Sequence, residues 1–176
     1  MIMSSLVVIG GAPGSGKTTV SNLLYATLQS PMIDFGDLRN FHLDLFWKKE
    51  SESEEQMSFE NLIYILKNYI RNEYKNVIVN DLQDFRVQQI PQIFENDDYI
   101  IATLVLYDDE ELKARVLNPT RDSGFRDVER ALAWNQAVIE RPTLKNEYKL
   151  DNTVKHPEET SRKIISLINS GCNLNL

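Results

Sequence analysis

A single cysteine, Cys172, excludes an intrachain disulfide framework, and its place near the C-terminus argues against a catalytic thiol. The two histidines, His42 and His156, have no metal partner at ligand spacing, and no zinc-type Cys/His cluster exists. Positive charge is in deficit, with 19 Lys and Arg against 26 Asp and Glu and a net charge of −7. Broad attraction to nucleic acid or to an anionic membrane is therefore not expected. Long apolar runs are missing, since Leu6–Ile9 is too short to span a bilayer. Met1-Ile2-Met3-Ser4-Ser5 has neither a basic region nor a cleavage site, so the expected location is cytoplasmic. Internal repeats and long low-complexity tracts are also absent. What remains is ordinary for a soluble globular chain, with 42% apolar and 26% charged residues. A single domain over 1–176 is expected, large enough for a real core, acting as a monomer or homodimer.

One stretch organises the rest. Gly11-Ala12-Pro13-Gly14-Ser15-Gly16-Lys17-Thr18 meets every fixed position of G-x-x-x-x-G-K-[ST]. Leu6-Val7-Val8-Ile9 before it reads as a buried strand. After it, Val20, Leu23, Leu24, Thr27 and Leu28 form a helical stripe. Strand, glycine loop and helix are the context a phosphate-binding loop needs. Its N–H groups would form a concave nest for phosphate oxygens, reinforced by the helix dipole. Lys17 would reach the β- and γ-phosphates, the Thr18 hydroxyl would ligate Mg²⁺, and Thr19 completes the nucleotide-binding set.

Along the chain, strands are predicted at Pro31–Phe35, Asn76–Asp81, Tyr99–Leu106 and Tyr148–Asp151. Between them, helices are predicted through Leu38–Phe46, from Ser58 (as N-cap) to residue 70, over Val87–Phe94 with a break at Pro91, and over Asp108–Leu117, Asp127–Glu140 and Pro157–Ile168. The polar run Lys48–Gln56 reads as a solvated loop or helix end. This alternation implies an α/β fold, a three-layer α/β/α sandwich around a five-stranded parallel sheet. Ligands then bind beyond the carboxyl ends of the strands, so polar residues just after strands are the candidates.

Asp34 and Asp37 follow the second strand. Either carboxylate would hold an acceptor hydroxyl, accept its proton, or bind Mg²⁺ through water; the competing role is a turn with a helix cap. Arg39 would clamp a carboxylate or phosphate. Asp81 ends the third strand as a Mg²⁺-supporting carboxylate does, but Asn80 precedes it, and spacing leaves open which of the two faces the loop. Asp84 and Arg86, just beyond, are further acceptor contacts. Arg115, Arg121, Arg126 and Arg130 flank Asn118-Pro119 and Gly124, the punctuation of a mobile lid over 115–130. Arg115 and Arg121 lead this set as groups that neutralise charge on the transferred phosphoryl group. The plainer reading pairs Arg126 and Arg130 with nearby acids on an exposed helix. Trp47 and Trp134 read as core, with Phe41 or Trp47 as weaker candidates to stack on a substrate ring.

In this order of parts the chain resembles the small P-loop kinases, which include nucleoside monophosphate kinases, shikimate kinase and gluconate kinase. Leu150-Asp151-Asn152-Thr153 before a Pro-Glu-Glu helix belongs to the likeness. Phe35-Gly36-Asp37-Leu38-Arg39 is similar to the Gly-Asp-x-Leu-Arg of adenylate kinases, one residue short. The resemblance implies the P-loop NTPase fold, a 2-3-1-4-5 strand order, acceptor binding by Arg39, and adenine held near Asn152–His156. Asp81-Leu82-Gln83-Asp84-Phe85-Arg86 stands where adenylate kinases carry Asp-Gly-aromatic-Pro-Arg, and Asp34 and Asp37 do not form the Asp-x-Asp of shikimate kinase. The acceptor therefore stays open among nucleotides, nucleosides and small hydroxylated metabolites.

The expected function is ATP-dependent transfer of a phosphoryl group to a small-molecule acceptor. Lys17, Asp34, Asp37, Arg115 and Arg121 are the catalytic candidates, Asp37, Arg39 and Asp84 the acceptor contacts, and Thr18 and Asp81 the Mg²⁺ ligands. The alternative is a nucleotide-dependent regulatory ATPase acting on a protein partner. Against it, the chain has no guanine-reading Asn-Lys-x-Asp.

Overall fold

A computed structural model describes residues 5–39, 52–121 and 123–170. The readings placed on Phe41, His42, Leu45, Phe46, Trp47, Asp122 and Cys172 lie outside the described residues. The apolar, β-branched runs form five strands, β1 (Leu6–Gly11), β2 (Met32–Asp34), β3 (Val77–Asn80), β4 (Tyr99–Val105) and β5 (Glu147–Asp151). They pair in parallel in the order β2-β3-β1-β4-β5, the order the resemblance implied. β1 lies in the middle, Leu6 standing opposite Val77 on one side and Tyr99 on the other.

Period-two alternation sends the strand side chains to two separate cores. Leu6, Val8, Val77, Val79 and Ile101 face one layer, where they meet Phe35, Phe59, Leu62, Leu66, Ile90 and Phe94. This layer comprises α2 (Phe35–Arg39), α3 (Glu52–Arg71), α4 (Asp84–Val87) and α5 (Ile90–Ile93). Val7, Ile9, Ile78, Ala102 and Leu104 face the other, against Val20, Leu24, Ile164 and Ile168. Those four belong to α1 (Lys17–Leu28) and α8 (Pro157–Ser170). Each fully buried Leu, Ile or Phe contributes about 1.5–3 kcal/mol over its exposed state. The phosphate loop is thus anchored by a strand and a helix that are both locked into the core.

A third, smaller cluster joins α6 (Asp109–Leu117) to α7 (Val128–Glu140) through Leu106, Leu112, Val116 and Ala131, with Phe125, Val128 and Leu132 beside them. The 115–130 segment therefore hangs from an apolar knot of its own.

Three local expectations are corrected. Ser58 is not an N-cap. It is buried inside α3, which starts six residues earlier at Glu52. Glu52, Glu54 and Glu55 occupy the first turn, where the helix dipole favours acids, so the described part of the run read as a solvated loop or helix end is a helix end. Phe35 starts α2 rather than ending β2, because the Asp34 carboxylate accepts the Gly36 N–H at 2.9 Å and turns the chain. Pro91 lies in the first turn of α5, separating it from α4.

Candidate active site

The sheet's carboxyl edge opens into a cleft of about 1610 Å³, lined by the phosphate loop, the segment after β3, the α6–α7 arginines and the turn after β5. Gly14 and Gly16 have φ of 88° and 99°, a region side-chain-bearing residues rarely adopt. A Cβ on Gly14 would also come within 2.9 Å of Val116. Gly16 precedes α1 with no side-chain cap, so the first N–H groups of that helix are left for a ligand.

The Lys17 ammonium folds back on its own loop, donating to the Gly11 carbonyl at 2.9 Å and to the Ala12 carbonyl at 3.1 Å. Burial pushes its pKa down, Asp81 and Asp34 oppose that, and Arg121 adds to it. The Ser15 hydroxyl is buried with no partner. Uncapped amides, a desolvated ammonium and an unpaired hydroxyl together fit a polyanion. Thr18 and Thr19 are exposed on the cleft wall, and Asp81 lines the same cleft. A hydroxyl and a carboxylate are hard oxygen donors, a set that suits Mg²⁺.

At the ends of β2 and β3 the two neighbours Asn80 and Asp81 part. Asp81 has φ of 60°, in the left-handed region. That twist parts it from Asn80, which is 1% exposed. The Asn80 carboxamide turns toward β2, where the acceptors around it assign its nitrogen as donor to Asp34 Oδ2 at 3.2 Å and to the Ile33 carbonyl at 3.3 Å. Asp81 stays exposed in the cleft, close enough to act on the charge of Lys17. A Cβ on Gly36 would meet Asp34 Oδ1 at 3.0 Å and Asp81 Oδ2 at 3.1 Å, so the two carboxylates converge on this glycine. Burial, then the charge of Asp81, pushes the Asp34 carboxyl above its usual range. Asp37 is exposed on α2 and acts on Asp34 through its charge. Arg39 lines the cleft with its guanidinium 5.9 Å from the Phe35 ring.

The arginines divide. Arg121 enters the cleft, donates to the Val116 carbonyl at 3.2 Å and bears on the charge of Lys17. Arg115 also lines the cleft, but Glu111 holds its Nε at 2.7 Å and the Thr153 carbonyl holds its Nη2 at 2.7 Å. Arg126 donates to the Ser123 and Phe125 carbonyls. Arg130 lies over the Trp134 ring at 4.4 Å. Trp134 stacks on Phe125, with centroids 5.9 Å apart, and forms cleft wall rather than deep core.

Beyond β3 the structure departs from expectation. Arg86 is no acceptor contact. It is 6% exposed. It grips both carboxylate oxygens of Glu55, donates to Gln56 at 2.8 Å and to Gln89 at 3.1 Å, and lies 4.4 Å from the Phe59 ring. The ion pair ties α3 to α4. Arg86→Ala is expected to destabilise the fold by about 3–5 kcal/mol in chemical denaturation, because Glu55 would be left charged and uncompensated. An unchanged denaturation midpoint would contradict this structural role.

Asp84 lines the cleft, but its carboxylate is held by Arg141, with contacts of 2.9 to 3.1 Å. Arg141 also donates to Glu147 at 2.7 and 2.8 Å. Burial disfavours the Arg141 charge, yet the bonds to Glu147 and Asp84 outweigh it and raise its pKa. Burial raises the Glu147 pKa, but the bonds from Arg141, the Leu144 N–H and the Thr103 hydroxyl overcome it and lower the pKa. Neither Arg141 nor Glu147 was a sequence candidate, and no local pattern marks them.

No family model matches the chain. A putative adenylate kinase of Pyrococcus abyssi is 26% identical over 167 residues, 94% of this chain and 85% of that protein. A gluconokinase from Sinorhizobium meliloti superposes with a TM-score of 0.70 at 14% identity, covering 98% of this chain and 96% of that one. Thymidylate kinase from Candida albicans superposes at 0.67 with 16% identity, covering 97% and 93%. The chain has the fold of the small P-loop kinases and is similar to one of them in sequence over nearly its whole length.

Proposed function

We propose that this chain transfers the γ-phosphoryl group of ATP to a small-molecule acceptor bound in the same cleft. The observation that carries this reading is the convergence of Asp34 and Asp81 on Gly36, within electrostatic reach of the phosphate-loop ammonium. A phosphate nest alone describes any nucleotide binder. A half-buried carboxylate beside it, with a raised pKa, describes a place where a proton is taken from an acceptor. The cleft volume exceeds the usual 300–1,000 Å³ of a single-ligand pocket, which suits two substrates side by side.

The loop amides, the α1 N-terminus and Lys17 hold the triphosphate and draw off charge from the transferred group. The Thr18 hydroxyl and the Asp81 carboxylate would hold Mg²⁺, which neutralises phosphate charge when bound. Asp34 orients the acceptor's reacting group and takes its proton, while Asp37 and Arg39 flank it from α2. Arg121 neutralises the developing charge from the lid side, and Arg115 supports the same wall through Glu111 and Thr153. Among the described residues, no helix is long and apolar enough to cross a membrane. The cytoplasm, which supplies ATP and Mg²⁺, is the proposed setting.

ADP release measured with MgATP and a panel of nucleotides, nucleosides, sugars and hydroxy acids tests this directly. At least one acceptor is expected to raise the rate well above its basal value. A basal rate that no small molecule changes would contradict the proposal. Arg121→Ala is expected to lower kcat by about 10²-fold while changing the affinity for MgATP only a few-fold, because its contact strengthens in the transition state. Equal losses in both would reduce Arg121 to a ground-state contact.

A further inference from the structure

The Asn152 side chain joins the turn after β5 to the phosphate loop. Asn152 is 3% exposed. Its Nδ2 donates to the Ser15 carbonyl at 2.8 Å, across 137 residues of sequence. Its Oδ1 accepts from the Thr160 hydroxyl at 2.6 Å. A carbonyl only accepts, so the amide nitrogen must face Ser15, and the oxygen is left for Thr160.

The turn itself is stiff. The Asn152 N–H donates to the Val105 carbonyl at 2.8 Å. The Asp151 carboxylate accepts from the Thr153 N–H at 2.9 Å and from its hydroxyl at 2.6 Å. The Thr153 hydroxyl accepts the Tyr107 N–H at 2.9 Å, and the Thr153 carbonyl accepts from Arg115 at 2.7 Å. Asn152 thus projects from a fixed base.

We infer that Asn152 is a positioning residue of the phosphate loop, set by the Thr160 hydroxyl and acting through the Ser15–Gly16 peptide. That peptide is planar and trans, so its C=O and N–H point in opposite directions. Holding the Ser15 carbonyl aims the Gly16 N–H away from Asn152 and into the nest. The fit extends to Gly16 itself, where a Cβ would lie 2.8 Å from Asn152 Nδ2. The inference rests on the reading that this loop holds a triphosphate. It gives Asn152 a task distinct from the adenine contact that resemblance implied for Asn152–His156.

Calorimetric titration of the full chain with MgATP, and separately with magnesium tripolyphosphate, tests it. Tripolyphosphate carries the phosphate chain without base or ribose. Asn152→Asp keeps the size and the Thr160 contact but sets a carboxylate oxygen against the Ser15 carbonyl. Both affinities are expected to fall by the same factor, about 10–30-fold. Thr160→Val removes the group that orients Asn152 and is expected to weaken both ligands about 3–10-fold, and Thr160→Ser to restore them. Should Asn152→Asp fail to fold, the Thr160 pair decides the matter. Loss of MgATP affinity with tripolyphosphate unchanged would assign Asn152 to the base and overturn the inference. Unchanged affinity for both ligands would overturn it equally. Wild-type chain that binds neither ligand would contradict the assignment of the loop itself, and the inference with it.

Discussion

Lys17→Ala is expected to abolish measurable phosphoryl transfer, with a loss on the order of 10³-fold or more and no saturable MgATP binding. Lys17 is the cation that shares the loop with the phosphate amides, and among the described residues its ammonium bonds the loop carbonyls of Gly11 and Ala12. Removing it takes away the charge that meets the β- and γ-phosphates. It leaves the two core layers untouched, because α1 is held by Val20 and Leu24 rather than by its first residue. The melting temperature is therefore expected to stay within about 2–4 °C of wild type. Burial also lowers the Lys17 pKa, so the resting ammonium is poorly solvated, and an arriving polyanion supplies the missing counter-charge. Calorimetry and thermal melts on the same preparation separate lost binding from lost folding. Full turnover in the folded variant would contradict the site.

Asp34→Asn carries the second large effect, a fall in kcat of about 10²–10⁴-fold with MgATP affinity nearly unchanged. Its stability signature has the opposite sign. Burial and the neighbouring Asp81 raise the Asp34 pKa in the folded chain. The folded state therefore holds this proton more tightly than the unfolded state does. Stability contributed by the protonated form is lost as pH rises from the unfolded pKa through the raised folded one. At neutral pH the charged carboxylate works against the fold. The neutral amide keeps an oxygen for the Gly36 N–H and removes the repulsion from Asp81, a gain offset in part because its nitrogen replaces the oxygen that accepts from Asn80. Asp34→Asn is thus expected to stay within about 1 kcal/mol of wild-type stability at neutral pH while nearly inactive. Wild-type turnover should rise with pH through the raised Asp34 pKa, a limb the variant lacks. A variant that is both destabilised and active would make Asp34 a helix cap and nothing more.

The phosphate loop and the parallel sheet are local signals and were legible in the sequence. Gly11 to Thr18 declare themselves by spacing, and the apolar runs of β1, β3 and β4 by composition. Pairs far apart in the chain carry no such signal. Arg86 looked like an acceptor contact because its partner Glu55 lies 31 residues earlier, in a polar run that reads as solvent-facing. Asp84 looked available because Arg141, 57 residues later, shows no periodicity that ties the two together. The choice between Asn80 and Asp81 turned on a left-handed φ at a residue that is not glycine. Asn152 follows a strand as many asparagines do, and only the fold brings it to Ser15. Candidates at strand ends can be named from chemistry and topology, while residues that act by pairing across the fold require the structure.

The most direct measurement is ³¹P NMR of wild-type chain incubated with MgATP and the acceptor panel. The expected result is ADP together with one new phosphorylated product in equal amount, formed only when its acceptor is present. ADP with inorganic phosphate alone, at a rate indifferent to every acceptor, would contradict phosphoryl transfer as this chain's chemistry.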